Sequence, residues 1–124
     1  MKKQETLRGR GTFSRLFASG RRLDGTVVRC FFLIERKEPP ALLAGFSVSS
    51  RTYNAVRRNR LRRLMREAFT RERPSLWSAV QRGGCSLSIV FVFKGTRGRE
   101  MERLNLHPVR SDIASLCATL ATAL

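Results

Sequence analysis

Apolar residues recur along the chain with two different spacings, and each spacing predicts a different element. Phe13, Leu16 and Phe17 stand at i, i+3 and i+4, which predicts a short first helix over residues 12–19. A helix of two turns is too short to be stable alone, so we expect it to dock on other elements. The segment 27–34 is β-branched and aromatic instead, which predicts a strand.

Strand alternation divides the side chains of segment 27–34 between two faces of a sheet. One face is apolar and comprises Val28, Cys30, Phe32 and Ile34. The other mixes a cation with an aromatic ring and comprises Arg29, Phe31 and Leu33. We expect this mixed face to be a wet surface rather than a core, because charged side chains are rarely fully buried.

Proline-rich residues 35–40 predict a turn, because two prolines cannot continue a β-ladder. The apolar run 42–48 then predicts the returning strand, and we expect the two strands to form an antiparallel hairpin. A short extra strand near residues 22–24, ahead of Gly25, has a weaker signal.

The main helix is predicted to begin at Asn54, whose side chain can accept an orphan backbone N–H. Its apolar stripe comprises Leu61, Leu64, Met65 and Ala68, and its opposite side carries Asn59, Arg62, Arg63 and Arg66. The stripe predicts an end near residues 69–70. Pro74 then predicts a loop that extends to Gly83-Gly84, with Trp77 as its anchor.

The last third of the chain predicts one strand and one helix. Residues 87–93 form a nearly continuous apolar run of the buried type, and residues 94–99 read as a turn. A final helix is predicted over 108–123, with its core stripe at Leu106, Val109, Ile113, Leu116, Leu120 and Leu124. The predicted fold is α+β: one α/β sandwich domain over residues 1–124, with a mostly antiparallel sheet and residues 1–6 as a flexible tail.

The charge of the chain indicates what kind of partner it binds. Lys and Arg total 25 against 9 acidic residues, a formal net charge of +16, and Arg far outnumbers Lys. Such a chain repels itself unless a polyanion is near, and guanidinium groups favour bidentate contacts with phosphate. Nucleic acid, an anionic membrane and an acidic protein could each be the partner. No apolar run approaches the ~20 residues of a membrane span, and the N-terminus lacks the apolar core of a secretory signal.

Cysteine usage fits a protein of a reducing compartment. The three cysteines, Cys30, Cys85 and Cys117, are odd in number and widely spaced, which argues against a disulfide scaffold and against a zinc site. We expect buried, reduced thiols and a cytoplasmic location.

The densest charge lies in segment 55–69, which holds six arginines and one acidic residue. Like charges at i, i+4, such as Arg58, Arg62 and Arg66, destabilise an isolated helix by a few tenths of a kcal/mol each. A solvated surface helix would mix in more acids. A polyanion bound against this side of the helix would turn that repulsion into a net attraction. We therefore interpret the segment as a binding surface.

Three motifs give the chain a family resemblance. Arg58-Asn59-Arg60 with its flanks resembles the RNR motif of the bacterial ribonuclease P protein family. The segment 45–49, Gly-Phe-Ser-Val-Ser, is similar to a strand motif of that family, and residues 7–20 resemble its N-terminus. The match runs through nearly the whole chain in order.

The resemblance implies a ribosomal-protein-like sandwich of order α-β-β-β-α-β-α with a four-stranded mixed sheet. It implies a left-handed crossover of the main helix between parallel strands, against the usual right-handed rule. It also implies a surface that binds the catalytic RNA, formed by Arg57, Arg58, Asn59, Arg60, Arg62, Arg63 and Arg66. A cleft for the single-stranded 5′ leader of precursor tRNA would be lined by Phe13, Phe17, Phe31 and Arg51.

The chain departs from the family pattern at a few positions. Ser50-Arg51 stands where two lysines are usual, Tyr53 replaces a glycine, and Phe93 replaces a common arginine, with Lys94 beside it. These departures bear on the leader contacts.

Catalysis is expected in the RNA partner and not in this chain. The single histidine, His107, adjoins a helix start, and the acids are scattered, so neither catalytic residues nor a protein metal site are predicted. By resemblance, Mg²⁺ is held chiefly by RNA phosphates, and the partners are one catalytic RNA per protein and precursor tRNA. The alternatives are a general RNA-binding or ribosomal-type protein, a DNA-recognition helix and a cationic membrane helix. A DNA-recognition helix would need a partner helix joined by a short turn, and none is predicted before segment 54–70. A membrane-surface helix would need a broad apolar face with Trp anchors, which this segment lacks.

Overall fold

The computed structural model of the chain describes residues 6–7, 10–49, 53–94 and 106–124. Seven elements form in these residues: α1 (Arg10–Ser19), β1 (Arg21–Asp24), β2 (Val28–Glu35), β3 (Ala41–Val48), α2 (Ala55–Gly83), β4 (Ser86–Phe93) and α3 (Leu106–Ala123). The predicted α+β class and element order are confirmed, including the weakly signalled first strand.

The strand order of the sheet is β1-β2-β4-β3, so the predicted β2–β3 hairpin is wrong. β4 lies between them, antiparallel to β2 and parallel to β3. The physical reason is the burial of β4, which is apolar on both faces and therefore belongs in the centre of the sheet. Alternation identified β2 and β3 as strands, but it contains no information about which strands are neighbours.

Parallel neighbours β3 and β4 are joined by α2, so the predicted crossover of the main helix between parallel strands is present. Parallel strands require such a crossover, because a short turn cannot reverse the chain twice. The left-handedness of the crossover stays a prediction.

Helix α2 is longer than predicted and runs through Pro74 to Gly83, so the predicted loop over this segment is wrong. Pro74 is exposed, while Leu76, Ala79 and Val80 beyond it are buried. Burial of that second apolar stripe offsets the backbone hydrogen bond that proline removes. The helix ends where Gly84 adopts a left-handed conformation with φ of 58°.

One face of the sheet is covered by α2 and α3 and holds the main core. Phe69 of α2 is fully buried, with its ring centroid 5.3 Å from that of Phe91 on β4 and 6.1 Å from that of Phe46 on β3. The predicted stripes of both long helices are confirmed, since Leu61, Met65 and Ala68 are buried and Leu64 packs against the core. In α3, Val109, Ile113, Leu116 and Leu120 are buried and Leu124 packs against the core, while the side chain of Leu106 lies outside the described residues. We call this side the covered face.

Among the described residues, the opposite side of the sheet is covered only in part, by α1 and Leu7, and we call it the open face. Its cluster has three buried members, Leu7, Leu16 and Val90. Phe31, Leu33, Leu43 and Val92 pack against them and are only partly buried. α1 therefore docks as expected, and the mixed face of β2 is half-covered rather than fully wet.

The three cysteines are buried and free, as predicted. Burial raises the pKa of Cys30 and of Cys117 to about 12. In the described segments, no helix combines the length and the apolarity that a membrane crossing requires.

Candidate nucleic-acid interface

Three aromatic rings follow one another across the open face. The ring centroids of Phe13 and Phe17 on α1 are 6.5 Å apart, and Phe17 meets Phe31 of β2 edge-on at 5.1 Å. Phe17 keeps 43% of its surface exposed although it is a large apolar residue. An exposed ring braced by a second ring is available to stack on a planar ligand. The structure therefore brings together the three predicted cleft aromatics.

Gly45 of β3 is the reason that Phe13 can lie against the sheet. A Cβ atom on Gly45 would come within 2.8 Å of Cζ of Phe13, closer than real Cβ contacts allow. Phe13 is half-buried at this point, so it holds α1 on the sheet and also faces the cleft. Phe13 therefore combines a packing role with the cleft position that the resemblance implied.

The start of α2 is fixed by polar contacts to the backbone. The side chain of Asn54 accepts a hydrogen bond from the backbone N–H of Arg57 at 2.9 Å, which confirms the predicted cap. Arg58 donates from Nη1 to the carbonyl of Tyr53 at 2.7 Å. Arg58 is thus half-buried and supports the helix start, a role that its place in the RNR motif did not reveal.

Most of the predicted RNA-contacting side chains line one shallow groove along α2, with a volume of about 600 Å³. Its lining comprises Val56, Asn59, Arg60, Arg62, Arg63 and Arg66. Asn59 Oδ1 accepts a hydrogen bond from Arg62 at 3.0 Å, which orients that guanidinium. Arg57 and Arg58 do not line the groove. Within the described residues no ion pair engages an arginine of this segment, so the charge of the groove is not neutralised by them.

A second cavity, of about 370 Å³, shares one lining residue with this groove and one ring with the aromatic cleft. It lies at the β3 edge and is lined by Thr6, Leu7, Phe13, Gly45, Phe46 and Arg66. Arg66 lines both cavities, and its guanidinium carbon lies 5.7 Å from the ring centroid of Phe46, a cation–π distance. The two predicted surfaces, on α2 and on the open face, therefore meet at Arg66.

Two of the departures from the family pattern compensate each other. Tyr53 is buried, and its ring packs edge-on against Phe93 with centroids 6.0 Å apart. The ring in place of a glycine thus fills the space beside the ring in place of an arginine. Sequence reasoning treated these positions separately because they lie far apart in the chain. Ser50, Arg51 and the side chain of His107 lie outside the described residues.

Carboxylates do not converge in the described part of the chain. No group of three or more His, Cys, Asp and Glu side chains that could hold a metal ion occurs there. Asp24 is engaged by cations, and Asp112 is engaged by backbone N–H groups. These residues do not fit a Mg²⁺ site of the protein's own.

The fold and the site together define a class: a small, strongly basic α+β protein with an arginine-lined helix groove beside an aromatic sheet face. The family model described as Ribonuclease P matches residues 1–117. The Ribonuclease P protein component of Chlorobium phaeobacteroides is 33% identical over 107 residues, which are 78% of this chain and 73% of that protein. The chain belongs to the Ribonuclease P protein family and is a protein subunit of that ribonucleoprotein.

Solved structures agree with this assignment. The RNase P protein from Thermotoga maritima superposes with a TM-score of 0.72 at 26% identity, covering 91% of this chain and 94% of that one. The Staphylococcus aureus RNase P protein superposes with a TM-score of 0.69 over 96% of both chains, and at 18% identity it supports the fold alone.

Proposed function

We propose that this chain binds the catalytic RNA of ribonuclease P through the groove on α2 and holds the 5′ leader of precursor tRNA on the open face. It thereby assists the cut that gives the mature tRNA its 5′ end. The observation that carries the proposal is the meeting of both surfaces at Arg66. One protein can then contact a folded RNA and an unpaired strand at the same time.

The chemistry of each surface supports its assignment. Guanidinium groups along the α2 groove, with Asn59 among them, suit phosphate oxygens and base edges of a folded RNA. The exposed ring of Phe17 suits an unpaired strand, since stacking is worth about 1–3 kcal/mol per base and tolerates any sequence. We assign the bond cleavage to the RNA, with Mg²⁺ held by RNA phosphates. The protein would lower charge repulsion and position the substrate, one protein per RNA, in the cytoplasm.

Reconstitution tests the proposal directly. The protein is added to ribonuclease P RNA and precursor tRNA at a Mg²⁺ concentration too low for the RNA alone. We expect cleavage at the mature 5′ end to be restored, because the arginines replace part of the charge neutralisation that Mg²⁺ supplies. Tight binding to many RNAs without restored cleavage would instead indicate a general RNA-binding protein.

The groove on α2 is tested by the salt dependence of holoenzyme assembly. Replacing Arg62 and Arg63 with Ala should flatten the slope of log K against log salt by about 0.7–0.9 per lost phosphate contact. Arg71 and Arg82, exposed farther along the same helix and outside the groove, provide a matched double-alanine control. An unchanged slope for the Arg62/Arg63 variant would remove the groove from the interface.

A further inference from the structure

The open face carries a second set of charged side chains beyond the Phe17–Phe31 pair. β1 and β2 pair antiparallel, with Arg22 opposite Phe31 and Asp24 opposite Arg29. Directly opposite residues project to the same face of a sheet. All four side chains therefore lie on the open face with Phe17. Arg29 flanks Phe31 along β2, and Arg22 flanks it from β1.

One carboxylate organises these cations. Nε of Arg29 donates to Oδ1 of Asp24 at 2.7 Å, and Nε of Arg22 lies 3.2 Å from Oδ2. Lys94 adds a third cation, with Nζ 3.9 Å from Oδ1. The hydrogen bond from Arg29 holds the pKa of Asp24 below its usual value, so the carboxylate is ionised at neutral pH. Three cations around one anion leave an excess of positive charge.

Both guanidinium groups have outer ends that the described residues leave available. Each arginine meets Asp24 through Nε. In the portion of the chain that the structure covers, no further hydrogen bond or ion pair occupies their terminal amino groups. A guanidinium that is already held loses less rotamer freedom when it binds, and its two terminal amino groups match the oxygens of a phosphate.

The turn that follows Asp24 is fixed from two other elements. Asp112 of α3 accepts hydrogen bonds from the backbone N–H groups of Val27 at 2.6 Å and Val28 at 2.9 Å. Lys94 donates from Nζ to the carbonyl of Gly25 at 2.9 Å. A Cβ atom at Gly25 would lie 2.7 Å from Cγ of Asp112, so the turn closes tightly on α3. These contacts fix the backbone of the turn next to Asp24.

We propose that Arg22 and Arg29 form a subsite for a backbone phosphate of the single-stranded leader, next to the nucleotide stacked on Phe17, and that Asp24 positions them. The inference rests on the proposed function and deepens it. Phe31 and Arg29 are two residues apart on β2, about 7 Å along the strand. A strand stacked at the aromatic pair thus brings a neighbouring phosphate over the two arginines.

The subsite and an effect of net charge alone predict opposite changes in leader binding when Asp24 is neutralised. Asp24→Asn removes a negative charge from a chain of formal net charge +16. If electrostatic attraction alone governed leader binding, this variant would bind the precursor more tightly. With Asp24 as a positioning residue, the released arginines lose their common orientation, and leader binding weakens although the protein becomes more positive.

The experiment uses the holoenzyme and precursor tRNAs whose leaders are shortened one nucleotide at a time, with mature tRNA as the reference. For the unmodified protein, affinity should rise in steps with leader length. Arg29→Gln and Arg22→Gln should each remove about fivefold from the step at which the phosphate reaches the subsite, the size of one exposed charged contact. Shorter leaders and mature tRNA should bind with unchanged affinity.

Arg15→Gln is the matched control, because Arg15 is an exposed arginine paired with one carboxylate, Glu35, at the other end of β2. Equal effects of Arg15→Gln and Arg29→Gln, or tighter precursor binding by Asp24→Asn, would overturn the subsite. If the unmodified holoenzyme showed no dependence on leader length, the proposed function itself would fail. If every step of that dependence kept its full size in the Arg22 and Arg29 variants, only the subsite would fail. Thermal melting of each variant confirms that folding is retained.

Discussion

The two faces of the sheet differ in how completely helices cover them, and the difference separates stability from binding. On the covered face, α2 and α3 bury a continuous core in which Phe69, Met65 and Ile89 are fully enclosed. On the open face, the shorter helix α1 buries only a small cluster and leaves Phe17 exposed. One face holds the fold together, and the other exposes the rings and cations to which we assign the unpaired strand.

Whether an aromatic residue of the sheet belongs to the core or to the surface depends on what covers its face. Phe46 on β3 and Phe31 on β2 lie in the same sheet on either side of β4, yet Phe46 stacks under α2 on Phe91, with ring centroids 5.8 Å apart. Among the aromatic rings of the described residues, Phe31 contacts Phe17 alone, and it is only partly buried. Variants that disturb each face should therefore produce different kinds of loss.

The largest effect is expected from Phe69→Ala on the covered face. Phe69 is fully buried between two other rings, so truncation should cost about 3–5 kcal/mol of unfolding free energy through lost burial and a cavity. Chemical denaturation measures this loss, with Phe17→Ala as the open-face control at about 1 kcal/mol or less. Similar losses for both variants would contradict the difference between the faces.

A second effect concerns the buried thiols beneath the covered face. Burial raises the pKa of Cys30 and Cys117 to about 12 in the folded chain, so the unfolded chain releases these protons first as pH rises. The stability that the two thiols contribute is complete below their unfolded pKa near 9 and is lost between about pH 9 and 12.

Denaturation at pH 9 and pH 10 measures the effect. The two thiols together should contribute a loss of about 2 kcal/mol over that interval. A Cys30→Ala/Cys117→Ala variant should show a correspondingly shallower decline, since lysines titrate equally in both proteins. Parallel declines would show that the thiols are not protected by burial.

The smallest stability effect is expected at the junction of α1 with the open face. Gly45→Ala places a methyl group against the Phe13 ring and should cost about 1–2 kcal/mol, because Phe13 must shift. Precursor affinity should fall with it, while assembly with the RNA should not. Gly11→Ala, with no atom near its added Cβ, is the control on α1. Unchanged stability and precursor affinity would show that Phe13 does not depend on this glycine.

Much of the fold follows from local patterns. The alternation in β2 and the 3.6-residue stripes of α2 and α3 were sufficient to predict these elements, because each pattern marks a face that must be buried. The strand order was not predictable from them, since the central place of β4 depends on pairing with two strands distant in sequence. The end of α2 was mispredicted because Pro74 is a local signal and the burial of Val80 is a tertiary one.

The candidate site was predicted unevenly for the same reason. Residue type and helical spacing identified the arginines of α2, and the resemblance identified Phe13, Phe17 and Phe31. Neither could show that Arg58 supports the helix start, or that Tyr53 packs on Phe93. The organising place of Asp24 was also missed, because its partners come from β1, β2 and the end of β4. Contacts between distant segments have no signature in a single sequence.

The affinity of the Phe17→Ala holoenzyme for precursor and mature tRNA tests the central claim most directly. Loss of a stacking ring should weaken precursor binding by the equivalent of about 1–3 kcal/mol and leave mature tRNA binding unchanged. Val56→Ala, at an exposed apolar residue within the α2 groove, should not alter the ratio of the two affinities. Equal losses of precursor and mature tRNA binding by Phe17→Ala would contradict the assignment of the open face to the leader.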